Sequence, residues 1–270
     1  MSWTAILFAL ATMGILGAAF GVVLSIADKK FAVETDERTA AIREAVAGAN
    51  CGACGYAGCD AFAAAVARGE APVGSCLPAG AKGAEAIAAI MGVSAGPAED
   101  RKVARVFCQG FCDAATARYT YEGLESCAMA ATLAGGPKQC ASACLGLGDC
   151  QRVCHFDAIE MANGVAKIYA DKCVACGMCI DACPRSIIHF TPADDTVFVA
   201  CQNHDAPKAA RASCVNACIS CGRCVKACVA DAIRIVDNCA VIDQEKCTRC
   251  GACVKVCPDH SIRDMTGLNA

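Results

Sequence analysis

The chain has 270 residues, a formal net charge of −3 and only 5% aromatic side chains, yet it carries 26 cysteines. Near-neutral charge leaves no nucleic-acid footprint, and so few aromatics leave a conventional core too thin for this length, so metal–thiolate bonds must supply much of the folding free energy. Disulfides suit secreted chains, whereas repeated C-x2-C-x2-C spacings suit reduced thiols that bind metal, which places the cysteine-bearing domains on the cytoplasmic side.

From Trp3 to Ala27 no residue is charged. As a helix this stretch is about 37 Å long, enough for a hydrocarbon core of about 30 Å. A cleaved signal peptide is the competing reading, but the basic n-region is missing and the apolar run is too long for an h-region. Lys29 and Lys30 follow directly and no basic residue precedes the stretch, so the rest of the chain lies inside. The expectation is a single-pass anchor, 1–28, in the cell (inner) membrane. Gly14, Gly17 and Gly21 form a small-residue strip along it, suited to close approach of another helix.

Residues 29–50 read as a membrane-proximal helix and linker, capped by Thr35 or Asp36 and closed by Gly48 and Asn50. Cys51-x2-Cys54-x4-Cys59-x16-Cys76 follows, four thiolates in a compact space with glycines that let backbone N–H groups approach a cluster. That domain is placed at 51–93, with a helix over 81–92. Ser94–Asp100 reads as a linker and opens a connector, 94–126.

The rest of the chain is one unit written twice. Cys140, Cys144, Cys150, Cys154, Cys173, Cys176, Cys179 and Cys183 recur at one constant offset as Cys214, Cys218, Cys224, Cys228, Cys247, Cys250, Cys253 and Cys257, and Cys127 recurs as Cys201. Repeats are placed at 127–200 and 201–270, with short strands such as Val197–Ala200 and Ala232–Val236. The fold class is α+β: one transmembrane helix, a small four-cysteine iron–sulfur domain and two tandem two-cluster ferredoxin-like repeats.

The runs Cys173–Pro184 and Cys247–Pro258 have the C-x2-C-x2-C-x3-C-P spacing of two-cluster ferredoxins, in which the fourth cysteine ligates the neighbouring cluster. Crossed ligation assigns Cys218, Cys221, Cys224 and Cys257 to one [4Fe–4S] cluster, Cys247, Cys250, Cys253 and Cys228 to another, and Cys173, Cys176, Cys179 and Cys154 to a third. A fourth departs from the pattern, because Leu147 stands where the copy has Cys221; Cys140 is the stand-in beside Cys144, Cys150 and Cys183. With Cys51, Cys54, Cys59 and Cys76 this makes five clusters. Cys108, Cys112, Cys127, Cys201 and Cys214 remain, and a sixth cluster drawn from four of them is weighed against free buried thiols. Cys239 reads as a small buried hydrophobe in an apolar strand. His155 and Val229 replace the prolines that follow the fourth cysteine elsewhere, His155 as a bland substitution rather than a ligand.

Zinc is the alternative occupant of four thiolates, but two interlocked ferredoxin runs favour iron–sulfur. Cys214-x3-Cys218-x2-Cys221 matches radical-SAM spacing, yet Cys224 continues the ferredoxin run and no αβ barrel accompanies it. No dinucleotide fingerprint or P-loop occurs, so nothing points to NAD, flavin or nucleotide on this chain. Its electrons come from a protein and leave to a protein.

The ordered motifs Asn50-Cys-Gly-Ala-Cys-Gly-Tyr-Ala-Gly-Cys59-Asp60, Gly69-Glu-Ala-Pro-Val-Gly-Ser-Cys76, Ile90-Met-Gly-Val93, Phe107-Cys-Gln-Gly110, Tyr121-Glu-Gly-Leu-Glu-Ser-Cys127, Gly135-Gly-Pro-Lys-Gln-Cys140 and Cys144-Leu-Gly-Leu-Gly148 resemble the B subunit of the Rnf complex, in its long form with two ferredoxin repeats. That family belongs to a membrane-bound, ion-translocating ferredoxin:NAD oxidoreductase. The resemblance implies an electron-transfer subunit that takes electrons from reduced ferredoxin or flavodoxin. It would pass them towards the NADH- and FMN-binding C subunit and the other membrane subunits, with no substrate chemistry on this chain alone. A polyferredoxin subunit of another membrane enzyme, a hydrogenase or reductase, is the alternative, but it needs no Cys51–Cys76 element. Ferredoxins are usually acidic, and Arg223, Lys226, Arg249 and Lys255 lie within the second repeat's cluster motifs, which predicts a docking surface there. The anchor is expected to remain in the mature chain. N-terminal sequencing of membrane-extracted protein should read from residue 1 or 2, and a start between residues 20 and 30 would reveal a cleaved leader.

Overall fold

The computed structural model describes residues 3–31, 37–94 and 101–265. Thr35 and Asp36, expected to cap the second helix, and residues 95–100 of the expected linker lie outside them. The uncharged stretch is one helix, α1 (Trp3–Phe31), which runs on through Lys30. None of Leu10–Ala27 is buried, and by length and composition this helix can cross a membrane. Its Thr12 hydroxyl donates to the Phe8 carbonyl at 3.0 Å, so this polar group is satisfied within the helix, as a bilayer requires.

A three-helix unit follows: α2 (Glu37–Ala45), α3 (Cys59–Ala67) and α4 (Gly80–Met91). Ile42, Phe62, Val66 and Ile87 are fully buried at its centre, with many alanines between them. The Tyr56 ring meets Phe62 edge-on at 5.7 Å, and Arg43 pairs with Asp60 at 2.7 Å between α2 and α3. At Gly83 a Cβ would stand 2.3 Å from the Ala79 Cβ and 3.0 Å from the Ala45 carbonyl oxygen, so only glycine lets α4 approach α2 this closely. Gly92, at φ +67°, ends α4 in the left-handed conformation that favours glycine.

Two further units share one element order. The first comprises β1 (Lys102–Val106), α5 (Cys127–Thr132), α6 (Asp149–Arg152), β2 (Ile159–Ala162), β3 (Val165–Ile168), α7 (Met178–Asp181) and β4 (Ile188–Pro192). The second comprises β5 (Val197–Val199), α8 (Pro207–Ser213), α9 (Arg223–Ala227), β6 (Ile233–Val236), β7 (Cys239–Ile242), α10 (Ala252–Val256) and β8 (Ile262–Asp264). Each unit has an outer antiparallel pair, β1–β4 or β5–β8, and an inner hairpin, β2–β3 or β6–β7. The hairpins turn on Asn163-Gly164 (φ +47° and +74°) and Asp237-Asn238 (φ +44° and +62°), two successive left-handed residues, as a tight two-residue hairpin requires.

This pairing crosses the boundaries expected from the cysteine repeat. Lys102–Val106, assigned to the connector, pairs with β4 of the first unit. Val197–Val199, assigned to the end of the first repeat, pairs with β8 of the second. The units meet along the segment after β1. Buried Gln109 donates to the His260 carbonyl at 2.8 Å, accepts from Arg263 at 3.1 Å, and takes a third bond on its own carbonyl from Asn216 at 3.1 Å. Phe107 packs against Phe198, ring centroids 5.4 Å apart.

Gly83→Ala should push α4 off α2 and cost about 1–3 kcal/mol, the usual cost of overpacking. Urea unfolding followed by helical circular dichroism measures it, and an unchanged midpoint would show that the helices tolerate the extra methyl group.

Candidate metal centres

Four cavities of nearly equal size, about 310, 340, 320 and 320 Å³, are each lined by four cysteines. Cys51, Cys54, Cys59 and Cys76 line one, between the loop after α2 and the start of α4. Cys154, Cys173, Cys176 and Cys179 line the second, and Cys218, Cys221, Cys224 and Cys257 the third. The fourth lies at the seam between the two ferredoxin-type units and is lined by Cys108, Cys140, Cys201 and Cys214. Among the described residues, no three His, Cys, Asp or Glu side chains converge closely enough for a single metal ion. The thiols surround a space instead.

The loops that carry these thiols share one backbone device. Between the first and third cysteines, two residues adopt left-handed φ: Ala175 (+56°) and Gly177 (+85°), Ser220 (+50°) and Gly222 (+68°), Arg249 (+56°) and Gly251 (+70°). Such alternation curls successive peptide N–H groups towards one point and makes an anion-binding nest. Several of these N–H groups already point at sulfur. Arg249 donates to Cys247 at 3.4 Å, and Cys250 is held below its ordinary thiol value by the Ala252 N–H and the Thr248 side chain. The sequence around Leu147 keeps the same curl, Gly146 at +80° and Gly148 at +79°, although the middle cysteine is gone.

At that altered loop the structure separates residues that the sequence put together. Cys150 is pushed up to about 12 by burial and by Cys144, Cys127 and Cys183, and Cys140, which the sequence groups with it, is not among these neighbours. Helix α5 delivers Cys127: Ser126 caps α5 through the Met129 N–H, and the Asp149 carboxylate at the start of α6 accepts from the Ser126 hydroxyl and the Ala128 N–H (3.1 and 2.9 Å). Leu147 packs against Cys127 and Leu145. Cys140 faces the seam, raised to about 11 by burial with Cys108, Cys201 and Cys214 as neighbours. Cys247, Cys250 and Cys253 lie together, burial and the other two thiols raising Cys253, and Cys228 packs in the same core. Cys112 is exposed and lies against Gly164, apart from these groups. His155 is also exposed.

A sign of the seam group was present in the sequence. Phe107-Cys108-Gln109 follows β1 as Ala200-Cys201-Gln202 follows β5, so Cys201 corresponds to Cys108 and not to Cys127. The backbone repeats the match. Cys108 accepts from the N–H of Gly110 (3.2 Å) and Cys144 (3.3 Å), and Cys201 accepts from those of Asn203 (3.5 Å) and Cys218 (3.4 Å). Buried Lys138 donates to the carbonyls of Gly110 (2.5 Å) and Gly164 (3.1 Å) beside this seam and lowers Cys108, Cys144 and Cys214 against the stronger upward push of burial. Cys239, read from the sequence as a small buried hydrophobe, donates through its thiol to the Cys201 carbonyl at 3.3 Å, in a core it shares with Cys201 and Cys218. Its closeness holds those two thiols below the ordinary thiol value and pushes Cys239 itself up.

Arg249, expected to face a partner, pairs with buried Asp195 at 2.8 Å. Arg223, Lys226 and Lys255 are exposed.

An α+β chain with nest-forming, four-cysteine loops is an iron–sulfur electron-transfer protein. The family of 4Fe-4S binding domains matches residues 166–189 and 240–263, a second 4Fe-4S binding family matches 218–232, and a putative Fe-S cluster family matches 47–78. The chain is 48% identical over 243 residues to the B subunit of the Na(+)-translocating ferredoxin:NAD(+) oxidoreductase complex of Acetobacterium woodii, covering 90% of this chain and 73% of the relative. It is 40% identical over 238 residues to the B subunit of the ion-translocating oxidoreductase complex of Methanosarcina acetivorans (88% and 90%), and 39% identical over 241 residues to its proton-translocating counterpart in Clostridium ljungdahlii (88% and 84%). This chain belongs to the family of B subunits of ion-translocating oxidoreductase complexes, the Rnf complexes.

Proposed function

We propose that this chain is a six-cluster conductor that takes electrons from reduced ferredoxin or flavodoxin on the cytoplasmic side. It would deliver them towards NAD- and flavin-carrying partner subunits, held at the membrane by α1. The observation that carries the reading is the ring of four thiols around each of four matching cavities, one of them at the seam between the ferredoxin-type units. The proposed ligand sets are Cys51, Cys54, Cys59 and Cys76; Cys154, Cys173, Cys176 and Cys179; Cys127, Cys144, Cys150 and Cys183; Cys108, Cys140, Cys201 and Cys214; Cys218, Cys221, Cys224 and Cys257; and Cys228, Cys247, Cys250 and Cys253. Bound there, [4Fe–4S] clusters supply reversible one-electron storage at potentials that hydrogen bonding and exposure set.

The order of the groups supports an unbranched series. Cys51 neighbours Cys176, and Cys150 neighbours Cys179. The N–H of Cys144 then reaches Cys108 across to the seam, and that of Cys218 reaches Cys201 on its far side. Two-cluster ferredoxin ligation joins the last two groups. The three-helix unit that follows α1 stands at one end and the exposed thiol of Cys250 at the other, which favours electron uptake at the Cys250 end. No ionisable side chain occurs from Trp3 to Ala27, so α1 itself offers no charged group to bind an ion.

Anaerobically purified chain should contain about 24 iron atoms, and Cys127→Ala and Cys214→Ala should each lose about four while Cys112→Ser loses none. About 20 iron atoms, retained in Cys127→Ala, would restore Cys140 to the set with Cys144 and leave five clusters. For docking, Arg223→Glu combined with Lys226→Glu should raise the apparent KM for ferredoxin several-fold at low salt and less at high salt. An unchanged KM would place the docking surface elsewhere. Arg249 is left intact in this test because its partner Asp195 is buried.

A further inference from the structure

Lys138 is a buried cation without a carboxylate partner. Its side chain is 9% exposed, and its ammonium donates to two main-chain carbonyls, those of Gly110 at 2.5 Å and Gly164 at 3.1 Å. Among the described residues no Asp or Glu pairs with it. The backbone fixes where this charge sits. Lys138 bridges to Ala117, the Gln139 N–H donates to the Thr116 carbonyl at 2.8 Å, and Ala115 bridges to Cys214. The segment 115–117 thus ties Lys138 and Cys140 to Cys214. Gly110, whose carbonyl takes the shorter bond, donates its own N–H to the Cys108 sulfur at 3.2 Å and lines the seam cavity with Cys108, Cys140, Cys201 and Cys214. A single residue separates the ammonium from a thiol of the seam group. The second unit has no such cation. Ala212 stands two residues before Cys214, where Lys138 stands two residues before Cys140. Asn203 takes the place of Gly110, donating its N–H to the Cys201 sulfur at 3.5 Å, and its buried side chain bonds the Ser213 hydroxyl at 3.2 Å. That pair carries no charge.

We infer that Lys138 is the counter-charge of the cluster at the seam and raises the reduction potential of that cluster above the value its four thiols alone would give. This rests on the ligand sets proposed above. A buried ammonium that meets only carbonyls needs an anion close by. A [4Fe–4S] cluster on four thiolates is anionic in both states and gains one more negative charge on reduction. A cation fixed beside it in a low-dielectric site therefore stabilises the reduced state more than the oxidised one. Groups just outside the ligand shell tune a metal site in this way. The consequence is a station midway along the series where an electron is held, with transfer from either neighbour to the seam favoured over return.

The test uses the full-length chain, purified anaerobically and titrated redox-potentiometrically with EPR detection. The step missing from Cys214→Ala identifies the seam cluster. Lys138→Met, which keeps the length of the side chain and removes its charge, should retain about 24 iron atoms and move that step to lower potential. At fixed poise the ratio of reduced to oxidised seam cluster should fall about tenfold, equivalent to about 59 mV for a one-electron couple. Lys138→Arg, which keeps the charge, should remain near wild type. The sulfur of exposed Cys112 and the Lys138 nitrogen each lie within 4 Å of where a Cβ on Gly164 would stand. Cys112→Asp, which sets a carboxylate beside the ammonium, should therefore lower the same step, while Cys112→Ser leaves it in place. An unmoved seam step in Lys138→Met, or equal shifts in the methionine and arginine variants, would overturn the inference. Should the methionine variant lose iron or fail to fold, Cys112→Asp decides alone, and an unmoved seam step there overturns the inference. A wild-type iron content of about 20 would sink the six-cluster reading itself and this inference with it.

Discussion

Everything in this chain after its first helix answers to the demand that four sulfurs meet around one space while peptide N–H groups turn to face them. Buried thiols resist ionisation, as Cys150 and Cys179 show, each pushed up to about 12 by burial and by other cysteines close by. Metal binding must displace those protons, and the charge it leaves in a low-dielectric site needs donors. The loops provide them with paired left-handed residues, even where the residue is not glycine. Ala175, Ser220 and Arg249 hold φ near +50°, a conformation that costs an L-residue of the order of 1–2 kcal/mol and persists only where the surroundings over-determine it.

The same demand explains how little hydrocarbon the domains contain. The three-helix unit packs on Ile42, Phe62, Val66 and Ile87 with alanines between them, and each ferredoxin-type unit has two two-stranded sheets around a core in which cysteines stand among the aliphatic side chains. Strands this short cannot hold a domain together by themselves. The thiols are core residues as well as the groups that would hold clusters, which links folding to cluster loading.

The seam joins the two units. Gln109 fastens them with three hydrogen bonds, and the N–H groups of Cys144 and Cys218 reach inward to Cys108 and Cys201 from opposite sides. The loop around Leu147 has the same left-handed pair as the cysteine loops, Leu147 packs with Cys127, and α5, tied to α6 through Asp149, carries that thiol. Cys140 faces the seam.

The amino-acid sequence by itself determined whatever depends on short spacing. The uncharged stretch specified α1, the C-x2-C-x2-C runs specified the nest-forming loops, and Asn163-Gly164 and Asp237-Asn238 specified the hairpin turns, because each is set by dihedral preferences and contacts within a few residues. The pairing of β1 with β4, the approach of Cys127 to Cys150, the convergence of Cys108, Cys140, Cys201 and Cys214 at the seam, and the bond from the Cys239 thiol to the Cys201 carbonyl were decided only by tertiary structure. A constant offset between repeats marks which cysteines are copies. It does not mark which ones converge, since a thiol drawn from a distant segment is positioned by the packing of α5 on α6 and of one unit on the other, not by its distance along the chain.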